Sequence, residues 1–419
     1  MTLWASLFAP EHFKGTRLLR ALNRVGKALP KNGHSLLPLE SGTLIGKART
    51  KTGLNDFGDE DIFQRLEILL ESFRADARLN LVGQICAHSD ILRVLCNRLR
   101  LVEDRKRNSG IADQVIRRPL FISGLPRTGS TLLHALLAQD PDSRAPLVWE
   151  VMHPSPPPEK ATCDSDPRIS RTEEELRWLE VLIPDFKRVH LIGARLPQEC
   201  IAILGHSFMS YVFESMYFVS SYRIWHEDQD KVPAYEFHRQ FLQHLQWRCP
   251  GDRWVLKAPS HILALETLFQ VYPDAGMILT HRDPPKVLAS CASFSEVLRS
   301  PFTNYFDRNE LGAEVSRRWE KGARLAIQFR EENAHLKERF LDVSCADLVK
   351  KPMVVVEQIY EHYDLPLTAE AKRAMQRFLA EHPQNKHGVH EYSLGQYGLD
   401  DEAERRRFRF YTDYFGIVS

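Results

Sequence analysis

The stretch Leu120-Phe-Ile-Ser-Gly-Leu-Pro-Arg-Thr-Gly-Ser-Thr131 decides the fold class of this chain. It begins as a short apolar run, passes through a turn that contains Gly124 and Gly129, and leads into the helical pattern Thr131-Leu-Leu-His-Ala-Leu-Leu-Ala138. This order of strand, glycine-bearing loop and helix is typical of a loop whose backbone N–H groups surround an anion at a helix N-terminus. The sequence therefore predicts a phosphate- or sulfate-binding loop between a buried strand and a helix.

The loop differs from that of an ordinary nucleoside triphosphatase. Ser130 stands where such an enzyme carries the lysine that reaches the β- and γ-phosphates. The only cation within the loop is Arg127, and hydroxyl groups follow it at Thr128, Ser130 and Thr131. We therefore expect a site for a phosphate or sulfate group without a metal, and keep a nucleotide kinase or nucleoside triphosphatase on a related fold as an alternative.

Three later apolar runs repeat the pattern of strand followed by helix. They are Arg253-Trp-Val-Leu-Lys257, Gly276-Met-Ile-Leu-Thr280 and Arg339-Phe-Leu-Asp-Val-Ser344. Strands that alternate with helices indicate a parallel sheet with helices on both faces. The predicted fold class is therefore α/β, a parallel β-sheet flanked by helices with a P-loop-like phosphate-binding loop.

The first quarter of the chain has a different pattern. From Asp59 to about Val102, apolar residues recur at helical spacing behind an acidic start. We therefore predict a helical N-terminal extension over residues 1–115 and one α/β domain over residues 116–419. Residues 1–30 interleave aromatic and basic side chains and predict an amphipathic helix, which packs on this chain or on a second subunit, or else lies on a membrane surface.

Composition restricts the classes of partner and compartment. The chain has 56 Lys and Arg residues against 55 Asp and Glu, a net charge of +1, which disfavours nucleic acid because such binding usually requires a basic excess. Its seven cysteines form no CxxC pair, so we expect neither a zinc cluster nor a disulfide framework but a reduced, cytoplasmic compartment. No apolar run is long enough to span a membrane. The sequence leaves the oligomeric state open, a homodimer being the commonest assembly of soluble enzymes.

A second anion-binding feature follows the run that ends at Thr280. Arg282 ends this predicted strand, and Ser290 lies eight residues later on the following helix. Open parallel sheets bind ligands at the carboxyl ends of their strands. A guanidinium and a hydroxyl that converge there can hold a second phosphate by charge-assisted hydrogen bonds.

Together these motifs resemble those of the sulfotransferases that use 3′-phosphoadenosine 5′-phosphosulfate (PAPS). The segment Gly124-Leu-Pro-Arg-Thr-Gly-Ser-Thr131 resembles the family's 5′-phosphosulfate loop, in the arginine-bearing form of the tyrosylprotein and bacterial branches. Arg282 and Ser290 resemble the 3′-phosphate site, and Lys257 resembles the lysine of the cytosolic branch's Lys-Thr-His motif. The resemblance covers about residues 117–400. It implies that PAPS is bound by Arg127, Thr128, Gly129, Ser130, Thr131, Arg282 and Ser290.

The resemblance also implies a reaction. A hydroxyl of the acceptor, or less often an amine, attacks sulfur while the nucleotide phosphate leaves. Positioning and charge stabilisation should dominate such a transfer. Arg127 and Lys257 are expected near the bridging oxygen, where negative charge grows as the S–O bond breaks.

The sequence leaves open which residue takes the acceptor's proton. The tyrosylprotein branch uses a glutamate after the first helix, and Glu150, 23 residues beyond Arg127, resembles it. The cytosolic branch uses a histidine, and His261 lies one or two positions beyond the matching place. Glu150 is the preferred base and His261 the second candidate, with Glu199 and His153 as further alternatives.

Two more stretches are candidate contacts, one for the 3′-phosphate and one for the acceptor. Lys386 and, less strongly, His387 are expected to return a cation to the 3′-phosphate, as the Arg-Lys-Gly segment does in the cytosolic branch. The aromatic residues over 208–217 either fill the core or line an acceptor cavity, and the second case favours a small apolar or aromatic alcohol. A catalytically inactive protein on the same fold, which binds a membrane or partner through residues 1–30, is the remaining alternative.

Overall fold

The computed structural model describes residues 37–383 and 392–417, together with Leu19 and residues 22–24. Its strands form one parallel sheet in the order β2-β3-β1-β4-β5. The strands are β1 (Leu120–Gly124), β2 (Ser143–Arg144), β3 (Arg253–Lys257), β4 (Gly276–His281) and β5 (Phe340–Ser344). The predicted α/β class is confirmed, and β2 is an edge strand too short to stand out in the sequence.

Helices surround the sheet. Those of the described residues are α1 (Ser41–Thr52), α2 (Asp61–Ala75), α3 (Leu81–Arg107), α4 (Ser130–Leu137), α5 (Val148–Met152), α6 (Pro167–Leu182), α7 (Phe186–Val189), α8 (Cys200–Leu204), α9 (Tyr211–Met216), α10 (Ser220–Asp228), α11 (Val232–Gln246), α12 (Leu265–Val271), α13 (Pro284–Arg299), α14 (Arg308–Glu332), α15 (Cys345–Lys350), α16 (Pro352–His362), α17 (Ala369–Glu381), α18 (Asp401–Arg407) and α19 (Arg409–Phe415). None of these helices is both long and apolar enough to cross a membrane.

Both faces of the sheet are covered by apolar clusters, and successive side chains of a strand point to opposite faces. In the central strand β1, Phe121 packs into the apolar cluster on one face, and Leu120 and Ile122 pack into the cluster on the other. All five residues of β1 are buried. Such runs are continuously apolar, which is why the parallel sheet could be predicted from the sequence.

The register of the central strands positions the site. Ile122 of β1 lies opposite Lys257 of β3, and Gly124 of β1 lies opposite Thr280 of β4. Because the strands are parallel, their carboxyl ends meet at one edge of the sheet. The glycine-bearing loop, Lys257 and the residues that follow Thr280 therefore share this edge.

The N-terminal helices α1, α2 and α3 pack through an apolar cluster that also takes in residues from later segments, such as Phe213 and Phe302. The buried Arg98 of α3 donates hydrogen bonds to the carbonyl oxygens of Phe57, at 2.8 Å, and His206, at 3.0 Å. The helical character predicted for this region is therefore present, while the division between residues 115 and 116 stays a prediction. Most of the amphipathic helix predicted over residues 1–30 lies outside the described residues.

Candidate active site

The loop between β1 and α4 is held in a conformation that its glycines allow. Gly124 has a φ of 121°, and a Cβ there would lie 2.4 Å from the carbonyl oxygen of Thr280. Gly129, which precedes α4, has a φ of 85°. Thr128 is fully buried, with its Oγ1 2.5 Å from Oγ1 of Thr280. The loop is therefore joined to β4 at two points, and α4 begins directly at its end.

A cavity of about 770 Å³ lies at the carboxyl edge of the sheet. The predicted donor-site residues that line it are Arg127, Gly129, Ser130, Thr131, Lys257, Arg282 and Ser290. Thr128 belongs to the same loop, but its side chain is buried and does not line the cavity. It fixes the shape of the loop instead. The fold thus brings both anion-binding motifs, whose arginines Arg127 and Arg282 are 155 residues apart in sequence, to one cavity together with Lys257 and the N-terminus of α4.

Arg127 links the two motifs. Its Nε donates a hydrogen bond to Oγ of Ser290 at 3.2 Å, and one terminal nitrogen donates to the carbonyl oxygen of Val189 at 2.9 Å. Its guanidinium carbon lies 5.2 Å from the ring centroid of Phe294. Arg282 in turn donates a hydrogen bond to the carbonyl oxygen of Arg127 at 3.0 Å. The residues predicted to bind two separate anions are therefore already in contact with each other.

Lys257 joins the loop to a carboxylate. Its Nζ donates hydrogen bonds to Oγ1 of Thr131, at 3.1 Å, and to the carboxylate of Glu199. The side chain of Lys257 is 3% exposed and that of Glu199 is 16% exposed, and both line the cavity. Burial is the largest influence on the pKa of Glu199 and raises it, but the charge and hydrogen bond of Lys257, together with His190 and His134, hold the pKa of this carboxyl below its usual value. The cavity thus contains an ionised carboxylate beside the cation of Lys257.

Glu150, the preferred base of the sequence analysis, is elsewhere. It is 1% exposed and forms a buried ion pair with Arg144, whose terminal nitrogens lie 2.7 and 3.2 Å from its oxygens. It also accepts a hydrogen bond at 2.9 Å from the backbone N–H of Leu147, at the start of α5. Glu150 does not line the cavity. The spacing of Glu150 from Arg127 could not reveal this. The burial of Glu150 and its pairing with Arg144, six residues before it, are properties of the folded chain.

The two histidine candidates are also outside the cavity. His261 is fully buried in the cluster on the Phe121 side of the sheet, with Nδ1 2.7 Å from Oη of Tyr235. Burial lowers its pKa well below the usual value. His153 has its Nε2 2.7 Å from the carboxylate of Glu175. Neither ring lines the cavity, so of the four candidate bases only Glu199 does.

Lys386 and His387 lie outside the described residues. The described residues nearest to them in the chain, Pro383 and Tyr392, both line the cavity. The expected contribution of a cation from this stretch stays a prediction.

Another part of the cavity wall is mostly apolar. It includes Ile201, Tyr211, Val212, Met216, Leu298 and Val315, with Ser215 and Arg318 as polar residues from the same helices. The aromatic residues over 208–217 divide between the two roles considered from the sequence. Tyr211 lines the cavity, whereas Phe208, Phe213 and Tyr217 are buried in the apolar cluster beneath.

Sequence reasoning missed one wall of the cavity. Phe186, Val189 and His190 line it, and they come from α7 and the turn after it. No motif or periodicity marks this stretch, since its residues meet the donor loop only in the folded chain. The described residues contain no group of three or more His, Cys, Asp or Glu side chains placed to hold a metal ion.

Comparisons with known proteins agree with this fold. A family model described as "Sulfotransferase family" matches residues 119–369, a range that includes Arg127, Glu199, Lys257, Arg282 and Ser290. The crystal structure of sulfotransferase STF1 from Mycobacterium tuberculosis H37Rv is 31% identical, covers 90% of this chain and 99% of that one, and has a TM-score of 0.79. The crystal structure of sulfotransferase STF9 from Mycobacterium avium is 30% identical, covers 92% and 99%, and has a TM-score of 0.84.

A more distant relative has a name that states its activity. The omega-hydroxy-beta-dihydromenaquinone-9 sulfotransferase Stf3 of Mycobacterium bovis is 23% identical over 313 residues, which is 70% of this chain and 74% of that protein. The matching region therefore spans most of both chains.

Proposed function

Because the chain belongs to the sulfotransferase family and is an enzyme of that family, we propose that it transfers the sulfuryl group of PAPS to a hydroxyl of a small apolar or aromatic acceptor. The observation that carries this proposal is the convergence of Arg127, Lys257, Arg282 and Ser290 on one cavity at the start of α4. PAPS carries two separate anionic groups, and the cavity offers a group of cations and hydroxyls for each.

The donor fits the charges of the described residues. The phosphosulfate would lie against the loop, where Arg127, Thr131 and Lys257 and the first N–H groups of α4 are available. The 3′-phosphate would lie against Arg282 and Ser290. As the S–O bond to the nucleotide breaks, negative charge grows on the bridging oxygen, and Arg127 and Lys257 stabilise it.

We assign the base to Glu199. The acceptor oxygen forms a bond to sulfur, its proton passes to the Glu199 carboxylate, and the electron pair of the breaking S–O bond leaves with the nucleotide phosphate. Glu199 lines the cavity in ionised form and contacts Lys257, so it lies beside the donor end. Glu150 and His261 lack this access, since one is in a buried ion pair and the other in the core.

The acceptor class follows from the apolar wall. A cavity of about 770 Å³ is within the size range of small-molecule sites. Its wall offers aliphatic and aromatic surface, which favours an apolar body carrying one reactive hydroxyl. The Stf3 relative, named as a sulfotransferase of omega-hydroxy-beta-dihydromenaquinone-9, supports an apolar alcohol for this chain too.

Calorimetric titration with 3′-phosphoadenosine 5′-phosphate (PAP) and with ADP tests the donor. We expect PAP to bind selectively and Arg282→Ala to abolish the selectivity, because Arg282 recognises the 3′-phosphate. The matched control is Arg248→Ala, which removes an exposed arginine paired with Glu159. Equal binding of PAP and ADP by the wild-type chain would contradict the proposal and favour the nucleoside triphosphatase alternative.

Transfer itself is measured with ³⁵S-labelled PAPS and two probe acceptors, 2-naphthol and decanol. We expect label in at least one sulfated alcohol, without added metal. Selective PAP binding without transfer to any alcohol or amine in a wider panel would instead support an inactive member of the fold.

A further inference from the structure

One histidine of the cavity wall has no part in the reaction described above. His190 follows α7, lines the cavity and is partly exposed to it. Neither ring nitrogen makes a hydrogen bond to any described residue. By contrast, the rings of His134, His261 and His281 are all hydrogen-bonded to other parts of the chain. The polar atoms of His190 are therefore available to a ligand.

The ring is held in place by aromatic neighbours. Its centroid lies 5.5 Å from that of Phe186 and 5.9 Å from that of Phe294, with interplanar angles of 45° and 38°. The backbone N–H of His190 donates a hydrogen bond at 2.8 Å to the carbonyl oxygen of Phe186. Phe294 also carries the guanidinium of Arg127 on its ring. The imidazole is thus preorganised beside the loop cation of the donor end.

The charged residues around His190 are the ones to which the proposed function assigns roles in the sulfuryl transfer. The ring lies within electrostatic range of Glu199, the proposed base, and of Lys257 and Arg127, the cations at the donor end. Burial lowers the pKa of His190 to about 4, with Lys257 and Arg127 acting in the same direction and Glu199 against them. At neutral pH the imidazole is therefore uncharged, with one N–H donor and one nitrogen acceptor.

We propose that His190 is a further catalytic residue, whose ring N–H donates a hydrogen bond to an oxygen of the sulfuryl group as that group passes from the nucleotide to the acceptor. This inference rests on the proposed function. The group in transit lies between the leaving oxygen, near Arg127 and Lys257, and the attacking oxygen, near Glu199. A fixed donor among these three residues stabilises the charge on the transferred oxygens without taking the acceptor's proton.

Two substitutions separate this role from those of a base or a packing residue. His190→Phe keeps an aromatic ring between Phe186 and Phe294 but removes the donor. His190→Gln restores an N–H donor that cannot act as a base at neutral pH. We expect His190→Phe to lower kcat by about 10²-fold, the loss typical of one such donor, and His190→Gln to recover most of it. The control is His335→Phe, at an exposed position.

The measurements are kcat and KM with ³⁵S-labelled PAPS and 2-naphthol or decanol, and the Kd of PAP by calorimetry. The KM for PAPS, the KM for the acceptor and the Kd of PAP should all stay within about twofold of the wild-type values in both variants. The proposal is overturned if His190→Phe keeps wild-type kcat, if His190→Gln is as slow as His190→Phe, or if either variant loses PAP affinity in step with kcat. Failure of the proposed function is distinguishable, because the wild-type chain itself would then fail to bind PAP or transfer sulfur.

Discussion

The donor end and the acceptor end of the cavity are built in different ways. The donor end consists of short contiguous motifs at the carboxyl edge of the sheet, where the strand register fixes Gly124 against Thr280 and Ile122 against Lys257. The acceptor end is assembled from side chains of two pairs of helices, α8 with α9 and α13 with α14, and the chain runs through β3 and β4 between the two pairs. A site for a fixed anion is thus encoded locally, whereas a site for an apolar body depends on how helices pack.

Glu199→Gln should cause the largest loss, because Glu199 lies where the two ends meet. We expect kcat to fall by about 10³-fold, since a positioned base contributes 10²- to 10⁴-fold. PAP affinity should change little, and initial rates at saturating PAPS with calorimetry measure the two quantities.

The matched control is Glu150→Gln, a carboxylate of the same type outside the cavity. It should retain turnover but lose about 3 kcal/mol of unfolding free energy, because Arg144 is left buried without its charged partner. Denaturant unfolding measures this loss. Loss of turnover in a folded Glu150→Gln protein, with wild-type rates in Glu199→Gln, would reverse the assignment of the base.

Lys257→Met tests how the donor end controls the base. We expect kcat to fall by about 10²-fold, because the cation near the leaving oxygen is lost. Removal of Lys257 also takes away the largest charge that opposes the effect of burial on Glu199, so the pKa of Glu199 should rise. Since the base must be ionised, the acidic limb of the kcat profile should then move to higher pH.

The pH dependence of kcat shows whether Glu199 is the titrating base. The exposed Lys337 supplies the control, Lys337→Met, which should leave both rate and profile unchanged. An acidic limb that stays in place or moves to lower pH in Lys257→Met would argue against Glu199 as the titrating base.

Gly124→Ala tests the rigidity of the donor end. A Cβ at this position would lie 2.4 Å from the carbonyl oxygen of Thr280, on a backbone with φ of 121°. We expect PAP affinity to fall by about 30-fold, which corresponds to about 2 kcal/mol of strain or displacement. Gly42→Ala, where nothing lies within 4 Å, is the control, and unchanged PAP binding in Gly124→Ala would show that the loop tolerates movement.

Ile201→Ala, in the apolar wall, should have the smallest effect and act on the acceptor alone. With decanol as the acceptor, we expect KM to rise by about fivefold, because part of the apolar contact is lost. PAP affinity should remain at the wild-type value, as in the exposed control Ile224→Ala. An equal loss of PAP affinity would contradict the separation of the two ends.

The sequence by itself determined the α/β fold class and most of the donor end. Buried parallel strands are continuously apolar, and the loop requires glycine at positions of left-handed backbone, so both features leave a pattern in adjacent residues. Arg127, Lys257, Arg282 and Ser290 could each be predicted to lie at the same sheet edge because parallel strands end there.

Only the tertiary structure decided which carboxylate reaches the cavity and that His190 lies in its wall. Glu150 has the more suggestive spacing, but Arg144 holds it in a buried ion pair, whereas Glu199 lies against Lys257. His190 has no motif around it, and its neighbours Phe294 and Arg127 are about 60 to 100 residues away in the chain. Arg144 and Glu150 are only six residues apart, but their burial, like the contacts of Glu199 and His190, depends on segments that are distant in the chain, and no local pattern in the sequence records it.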